Sequence, residues 1–191
     1  ANSALVVTIA PEQFRSYGQS PLAGILFQQH LEQLAYVSGG GGYRAPAVRL
    51  TDFVSNKLSA TLPKSSYRPG ICPGDLDTCL PRHVSEFLRS QAIFAFDKKM
   101  KGFLTEEAIL IAVETRTSAP LRIVRDELYQ SPGARGLYPV GEGAGYAGGI
   151  VSAAIDGVKV AVQILKAYGV DTTEIRASMP IRPSQDGQPT Q

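Results

Sequence analysis

The chain has little of what several common functions require. Its 19 Lys and Arg against 17 Asp and Glu leave a net charge of only +2, and the basic residues form no cluster that would favour nucleic-acid binding. No apolar run approaches the ~18–20 residues needed to cross a bilayer, and the first residues lack the basic start of a signal peptide. These absences favour a soluble, non-membrane protein of the cytoplasm or of an organelle, with any targeting signal outside this segment.

Cysteine and histidine are also scarce. Cys72 and Cys79 flank the sequence PGDLDT, a spacing that makes neither a CxxC redox pair nor a zinc half-site, and only His30 and His83 are available to complete a cluster. The sequence therefore predicts no metal site. Two interpretations of the cysteines remain, free thiols in a turn-rich loop or a disulfide across that loop.

Several catalytic motifs are missing. The sequence contains no Ser-His-Asp or Cys-His triad, no HExxH and no convincing pair of carboxylates, so a self-contained hydrolase is not expected. It also has no strand–GxGxxG–helix unit of the kind that begins a dinucleotide-binding domain. The glycine run 39–42 follows a helical pattern instead of a strand and is predicted to be a flexible loop.

The most informative segment is GLYPVGEGAGYAGGIVSAAIDGVKVAV, residues 136–162. A short apolar strand is predicted at residues 137–140, followed by five glycines between Gly141 and Gly149 and then directly by a helix. Backbone N–H groups of such a loop and helix N-terminus converge on an anion or a polarised carbonyl oxygen. Because Gly permits close backbone approach, the pattern favours a cofactor loop over a plain turn.

The helix after the loop is amphipathic. Polar residues recur at spacings of four and three, at Ser152, Asp156, Lys159, Gln163 and Lys166. The opposite, apolar side is predicted to pack on a sheet, and Gly169 is predicted to end the helix.

The rest of the chain shows mixed helix and strand patterns, as an α/β (mixed α+β) fold requires. Helices are predicted from Ser20-Pro21 to just before Gly39, over residues 50–58, and from Pro81 onward. Strands are predicted over residues 4–9, the second half of 108–115, and 121–124. Residues 59–80 are predicted to be irregular.

The segment from Gly136 to Asp156 closely resembles the C-terminal flavin motif of the FAD-dependent dehydrogenases described as NAD(FAD)-utilising oxidoreductases, relatives of the glutathione-reductase-like flavoproteins. In that family a GLYPxGEGAGYAGGI-type stretch precedes a helix with SAAxDG. Both are present here, the second as Ser152, Ala153, Ala154, Asp156 and Gly157.

A second block supports the resemblance. Residues 114–123, ETRTSAPLRI, are similar to the family's ETRTSSPVRI and depart from it at Ala119 and Leu121. The segments NSALVV, LEQLAYVSGGGGYRAP and Asp52-Phe53 also resemble the family, so the similarity spans most of residues 1–168.

The resemblance implies the C-terminal portion of a longer flavoprotein. Residues 1–135 would belong to a substrate-side, inserted domain. Residues 136–170 would supply the last strand–loop–helix of a Rossmann-like FAD-binding domain, and the polar, Pro-rich residues 171–191 would form a disordered tail. The partners would be FAD, an unknown small-molecule substrate and the upstream FAD-binding half.

The resemblance also assigns candidate site residues. The cofactor-binding candidates are Gly141, Glu142, Gly143, Gly145, Tyr146, Ala147, Gly148, Gly149 and Ile150. Glu142 occupies the position whose carboxylate contacts a ribityl hydroxyl or lies near the pyrophosphate in related flavoproteins. Tyr146 either stacks on the flavin ring or faces the core.

Arg116, Thr117, Ser118 and Arg122 are candidates for an anionic substrate, because arginines beside hydroxyl groups suit anion recognition. The alternative is that the two arginines pair with Glu114 and Asp126 at a domain interface. No catalytic residue is assigned.

Two functions follow. The first is an FAD-dependent oxidoreductase, or dehydrogenase, to which this chain contributes the flavin loop and the substrate-side domain. The second is a non-catalytic binding or interaction module that keeps the fold without the flavin, and the missing GxGxxG unit is what favours it.

Overall fold

The computed structural model describes residues 2–173 and Ile175. The chain forms two compact units, the first ending at Thr117 and the second beginning at Ser118. This division precedes the predicted domain boundary at residue 136 because residues 121–125 are hydrogen-bonded to the glycine loop of the second unit. The assignment of residues 136–170 to a flavin-binding domain stays a prediction. The predicted tail lies outside the described residues, apart from Asp171–Thr173 and Ile175.

A small mixed sheet organises the first unit. Strands β1 (Ala45–Arg49), β2 (Ile71–Pro73) and β3 (Ile109–Ile111) lie in the order β2-β1-β3. The central strand runs parallel to β2, with Ala45 opposite Ile71, and antiparallel to β3, with Ala47 opposite Ile111. Four of its five residues are buried, as expected for a strand covered on both faces.

Helices cover this sheet. They are α1 (Ala23–Ser38), α2 (Leu50–Val54), α3 (Arg82–Phe87) and α4 (Ile93–Lys99), and a π-helical turn at Leu88–Ala92 joins the last two. Short 3₁₀ helices lie at Pro11–Tyr17 and Leu76–Thr78. Buried residues of α1 recur every four positions, at Ala23, Phe27, Leu31 and Ala35, which is the spacing of one helix face. Ile93, with no exposed surface, belongs to the core cluster shared by the sheet and α3–α4.

The predicted helices of this unit are confirmed, with corrections. α1 begins at Ala23, because Ser20 and Pro21 form the preceding turn, in which the Ser20 hydroxyl accepts the Leu22 N–H at 3.2 Å. The second helix stops at Val54, since Asn56 adopts a left-handed φ of 54° that a helix does not accommodate. Pro81 stands directly before α3, as predicted.

Several predicted strands are wrong. Residues 4–9, 121–124 and 137–140 belong to no sheet, because each lacks a neighbouring strand in the described part of the chain. The strand predicted in the second half of 108–115 lies in its first half, at β3. The mixed α/β fold class itself is confirmed.

The second unit is built around α5 (Ile150–Ala167), the helix predicted after the glycine loop. It ends at Ala167, followed by the cap residue Tyr168 and by Gly169, and the φ of 73° at Gly169 stops the helix as predicted. The prediction that its apolar side packs on a sheet is not met within the described residues of this unit, which contain no strand. Ile150 is 92% exposed and Val151 71%, whereas Asp156, expected on the polar side, is buried.

Candidate functional site

The glycine loop, residues 141–149, is a pair of tight turns between an extended segment and α5. The N–H of Gly145 donates to the carbonyl of Glu142 at 2.9 Å, and the N–H of Tyr146 donates to the carbonyl of Gly141 at 3.0 Å. Gly141 and Gly145 have φ values of 72° and 81°, in the left-handed region that favours glycine. A Cβ on Gly145 would also collide with the backbone carbonyl of Leu121. These two glycines are therefore required by the fold of the loop.

The other glycines of the loop have no such structural requirement. A Cβ added at Gly143 or Gly148 would meet no atom within 4 Å, and one at Gly149 would meet only the Ser152 hydroxyl, at 3.8 Å. None of the three has a left-handed φ. Open space beside bare backbone is what a planar ligand needs for close approach.

α5 begins at the end of this open segment. Its first three N–H groups, on Ile150, Val151 and Ser152, have no acceptor among the described residues, and no side chain caps them. The Ser152 hydroxyl donates to the Gly149 carbonyl at 3.0 Å instead of accepting from the backbone. The positive end of a well-formed helix is thus left free to interact with negative charge.

The other end of the loop is held by an ion pair. The Arg125 guanidinium donates to both carboxylate oxygens of Asp156, at 2.9 and 2.7 Å, and to the carbonyl of Pro139 at 2.8 Å. The same carboxylate accepts the N–H of Gly141 at 2.8 Å. Only about a tenth of either side chain is exposed. The hydrogen bonds from Arg125 hold the pKa of Asp156 below its ordinary value, and the N–H of Gly141 adds to the effect.

Tyr146 belongs to the same cluster. Its hydroxyl donates to the carbonyl of Ile123 at 3.1 Å and accepts the N–H of Arg125 at 3.2 Å. Its ring centre lies 3.6 Å from the guanidinium carbon of Arg125 and 5.0 Å from that of Arg122. The sequence leaves open whether Tyr146 stacks on a flavin ring or faces the core. In the structure the ring is half-buried and lies against Arg125 and Arg122, and its stacking on a flavin stays a prediction.

Glu142 is half-buried, and its carboxylate has no hydrogen-bond or ion-pair partner in the described part of the chain. The glycine that follows it is exposed. A half-buried carboxylate beside bare backbone remains able to accept a hydroxyl donor from a ligand.

The four predicted substrate residues are not brought together by the described contacts. Arg116 and Thr117 belong to the first unit, and Ser118 and Arg122 to the second. The Arg116 guanidinium pairs with Glu32 of α1, at 2.8 and 3.1 Å, and the Thr115 hydroxyl donates to the same carboxylate at 2.7 Å. These bonds, first those of Arg116, lower the pKa of Glu32.

The alternative arginine pairing is wrong in its partners. The Arg116 side chain pairs with Glu32 instead of Glu114, and Arg122 donates to the carbonyl of Gly145 at 3.0 Å instead of to Asp126. The Arg116 side chain is 69% exposed and therefore accessible to a ligand. Its role in binding an anionic substrate stays a prediction.

Sequence reasoning did not identify Arg125 as part of the site and assigned Asp156 to the solvent side of the helix. The available signal for Asp156 was its place in the SAAxDG block, four residues before the buried Val160 and therefore on the same helix face. Arg125 has no comparable signal, since its role depends on a contact 31 residues away.

The cysteines are free thiols. Cys72 is half-buried and donates to the carbonyl of Ser38 at 3.8 Å. Cys79 is fully buried, and burial raises its pKa to about 11, with the charges of Asp75 and Asp77 adding to the effect. Within residues 2–173, no group of three or more metal-ligating side chains is found.

None of the helices in the described chain combines the length and the apolar character that a membrane span requires.

Two comparisons with known proteins bear on the chain. The model of the family described as FAD-dependent protein, C-terminal domain-like, matches residues 1–117. An uncharacterized protein of Clostridium beijerinckii is 51% identical to the chain over 172 residues, which cover 88% of this chain. The chain spans 31% of the length of that relative. Since the family match extends over more than half of its residues, the chain belongs to the FAD-dependent protein, C-terminal domain-like, family.

Proposed function

We propose that this chain is the C-terminal part of an FAD-dependent oxidoreductase, a dehydrogenase related to the glutathione-reductase-like flavoproteins. The observation that carries the proposal is the open segment at Gly148 and Gly149, which leads into three unbonded N–H groups of α5. Membership of an FAD-dependent family supports the choice of flavin as the ligand.

Each part of the loop would have its own task. Gly148 and Gly149 would let the flavin ring approach the backbone. The N–H groups of Ile150, Val151 and Ser152 would interact with negative charge on the ring, where the helix dipole stabilises an anion. The unpaired Glu142 carboxylate would accept a ribityl hydroxyl. When bound, the flavin supplies the electron-transfer chemistry, and the protein orients it and tunes its potential.

The remainder of the flavin site would come from an upstream half of the same protein. Two observations support this: the curated relative is about three times as long as the matching segment, and α5 leaves Ile150, Val151 and Val158 exposed at 92%, 71% and 40%. A helix with a broad exposed apolar side is normally covered by another element.

The substrate would be a small molecule with an anionic group. Arg116 and Thr117 of the first unit remain candidates for contacting that group, and so do Ser118 and Arg122 of the second unit. The Arg116–Glu32 pair holds one guanidinium in a fixed orientation.

Substitution of the open glycines tests the proposal. In the full-length protein that carries this segment, Gly148→Val and Gly149→Val should abolish flavin retention, because the branched side chain would occupy the space the ring needs. Neither change should unfold the loop, because neither meets a close contact. Gly133→Val is the matched control, since Gly133 also has open space and no left-handed φ. Flavin content per protein is read from the visible absorption bands.

A wild-type protein that stays colourless with added FAD would favour the alternative, a non-catalytic module that keeps this fold. Stoichiometric flavin in both loop variants would contradict the placement of the loop.

A further inference from the structure

One side chain connects three segments of the second unit, and this inference from it rests on the proposed function. Arg125 lies on the segment before the loop and binds Pro139 before the loop's first turn and Asp156 on α5. Through Asp156 it is also linked to Gly141, the first residue of the loop. The start of the loop is therefore fixed by side chains. At its other end a Cβ added to Gly148 would meet no atom within 4 Å, and one added to Gly149 would meet only the Ser152 hydroxyl, at 3.8 Å.

The geometry uses the particular shape of arginine. One terminal nitrogen, Nη1, donates to both Pro139 and Asp156, and the other, Nη2, donates to the second oxygen of Asp156. A planar guanidinium satisfies these directions at once, whereas a lysine ammonium is a point charge without a fixed fork. Arg125→Lys therefore preserves charge while losing the bidentate geometry.

Two tyrosine rings hold the guanidinium in place. Its carbon lies 3.6 Å from the Tyr146 ring centre and 4.5 Å from the Tyr129 ring centre. Tyr129 reaches this position with a left-handed φ of 64°, a conformation that is unfavourable for a residue with a side chain. The contact is maintained in spite of this local cost.

We propose that Arg125 is a positioning residue for the flavin loop, acting through Asp156 and Tyr146, and that Tyr146 completes this cluster instead of stacking on the flavin ring. Arg125 orients the loop so that the open glycines and the free N–H groups of α5 meet the flavin together. In this role Arg125 would act through these neighbours and not on the reacting atoms.

A second arginine of the chain provides a matched control. Arg89 has a comparable set of partners in the first unit: its Nη2 donates to both oxygens of Asp77 at 2.9 Å, its Nε donates to the carbonyl of Phe53 at 2.9 Å, and its guanidinium carbon lies 4.7 Å from the Phe53 ring centre. Arg89→Lys therefore makes the same chemical substitution at a carboxylate-paired arginine away from the glycine loop.

The experiment compares Arg125→Lys with Arg89→Lys in the full-length protein. We expect Arg125→Lys to raise the flavin dissociation constant about tenfold or more and to change the visible circular dichroism of the bound flavin. Arg89→Lys should lower thermal stability while leaving the flavin dissociation constant within about twofold of wild type. Equal flavin affinity and an unchanged flavin spectrum in Arg125→Lys would overturn the proposal.

A milder variant covers the case in which Arg125→Lys does not fold. Tyr146→Phe keeps the ring on Arg125 and removes only the hydroxyl bonds to Ile123 and Arg125. This variant should weaken flavin binding about threefold or more, although the aromatic ring still packs on the Arg125 guanidinium. Unchanged flavin binding would overturn the role of the cluster.

Failure of the proposed function is recognised separately, because it appears as a wild-type protein without flavin. In that case amide exchange of residues 141–146 still tests the cluster: faster exchange in the Arg125 variant supports it, and unchanged exchange overturns it.

Discussion

Arg125 and Asp156, 31 residues apart, are joined by two hydrogen bonds of 2.9 and 2.7 Å in which each oxygen of the carboxylate meets a different guanidinium nitrogen. Burying such a pair costs desolvation free energy, but each charged group is satisfied by the other. When one partner is removed, the remaining buried charge has no counter-charge and strongly destabilises the fold. This pair therefore links α5 to the segment before the glycine loop, across 31 residues of sequence.

Asp156→Ala should destabilise the second unit by about 3 kcal/mol, the low end for a buried pair, because a tenth of each side chain is exposed to water. The substitution leaves Arg125 without its charged partner and the N–H of Gly141 without its acceptor. Amide hydrogen exchange of α5 measures the loss. Glu86→Ala, which removes the exposed pair with Arg82, is the control and should change exchange little. Equal effects of the two variants would show that the Arg125–Asp156 pair adds no stability.

Acid should weaken this unit through Asp156. Its pKa is lowered in the folded state by the bonds from Arg125, so the unfolded chain takes up the proton first. The stabilisation is fully present above the unfolded pKa of about 3.9 and is lost as the pH falls through the lower, folded pKa. The urea concentration at which the amides of α5 lose half of their protection from exchange should be measured as a function of pH. Below about pH 4 it should fall more steeply in the wild type than in Asp156→Asn. Parallel pH curves for the two proteins would refute this assignment.

Gly145→Ala and Gly148→Ala should differ sharply in their effect on the loop. Gly145 has a left-handed φ of 81°, and a Cβ there collides with the Leu121 carbonyl. We expect a loss of more than about 1 kcal/mol, since backbone strain and the clash add. Gly148→Ala meets no atom within 4 Å and should leave stability nearly unchanged. The comparison uses amide exchange of residues 141–146, and equal protection in both variants would contradict the described loop conformation.

The two cysteines should react at different rates with an alkylating reagent. Cys79 has no exposed surface and a pKa raised to about 11 by burial, so little thiolate forms at neutral pH. Half-buried Cys72 is the accessible thiol. Mass spectrometry should find label on Cys72 in native protein and on both residues in denaturant. Rapid native labelling of Cys79 would contradict its burial.

Local patterns predicted the helices well. α1 and α5 were recognisable from apolar residues repeating at helical spacing, and α3 from Pro81, because these signals depend on neighbours a few residues apart. The unpaired segments 121–124 and 137–140 were predicted as strands from apolar composition alone. A strand also needs a partner ladder, and that partner is not visible in a local pattern.

The candidate site was predictable only in outline. The five glycines of the loop look equivalent in the sequence, yet Gly141 and Gly145 are required by left-handed backbone and Gly143 and Gly148 lie in open space. Asp156 follows the spacing of the polar helix residues, and the signal against a solvent-facing position is its spacing of four residues from the buried Val160. Its partner Arg125 could not be distinguished from Arg122, because which of them reaches α5 depends on the three-dimensional path of the chain.

The sheet of the first unit has one more consequence, for association between copies. Its two outer strands, β2 and β3, are only three residues long, and β2 ends in Pro73, which has no N–H to donate. A strand from another copy that paired with either edge strand would find few free N–H and C=O groups. Such a pairing would therefore form few hydrogen bonds. The sheet therefore offers a poor template for fibril growth, even though its central strand is almost entirely apolar.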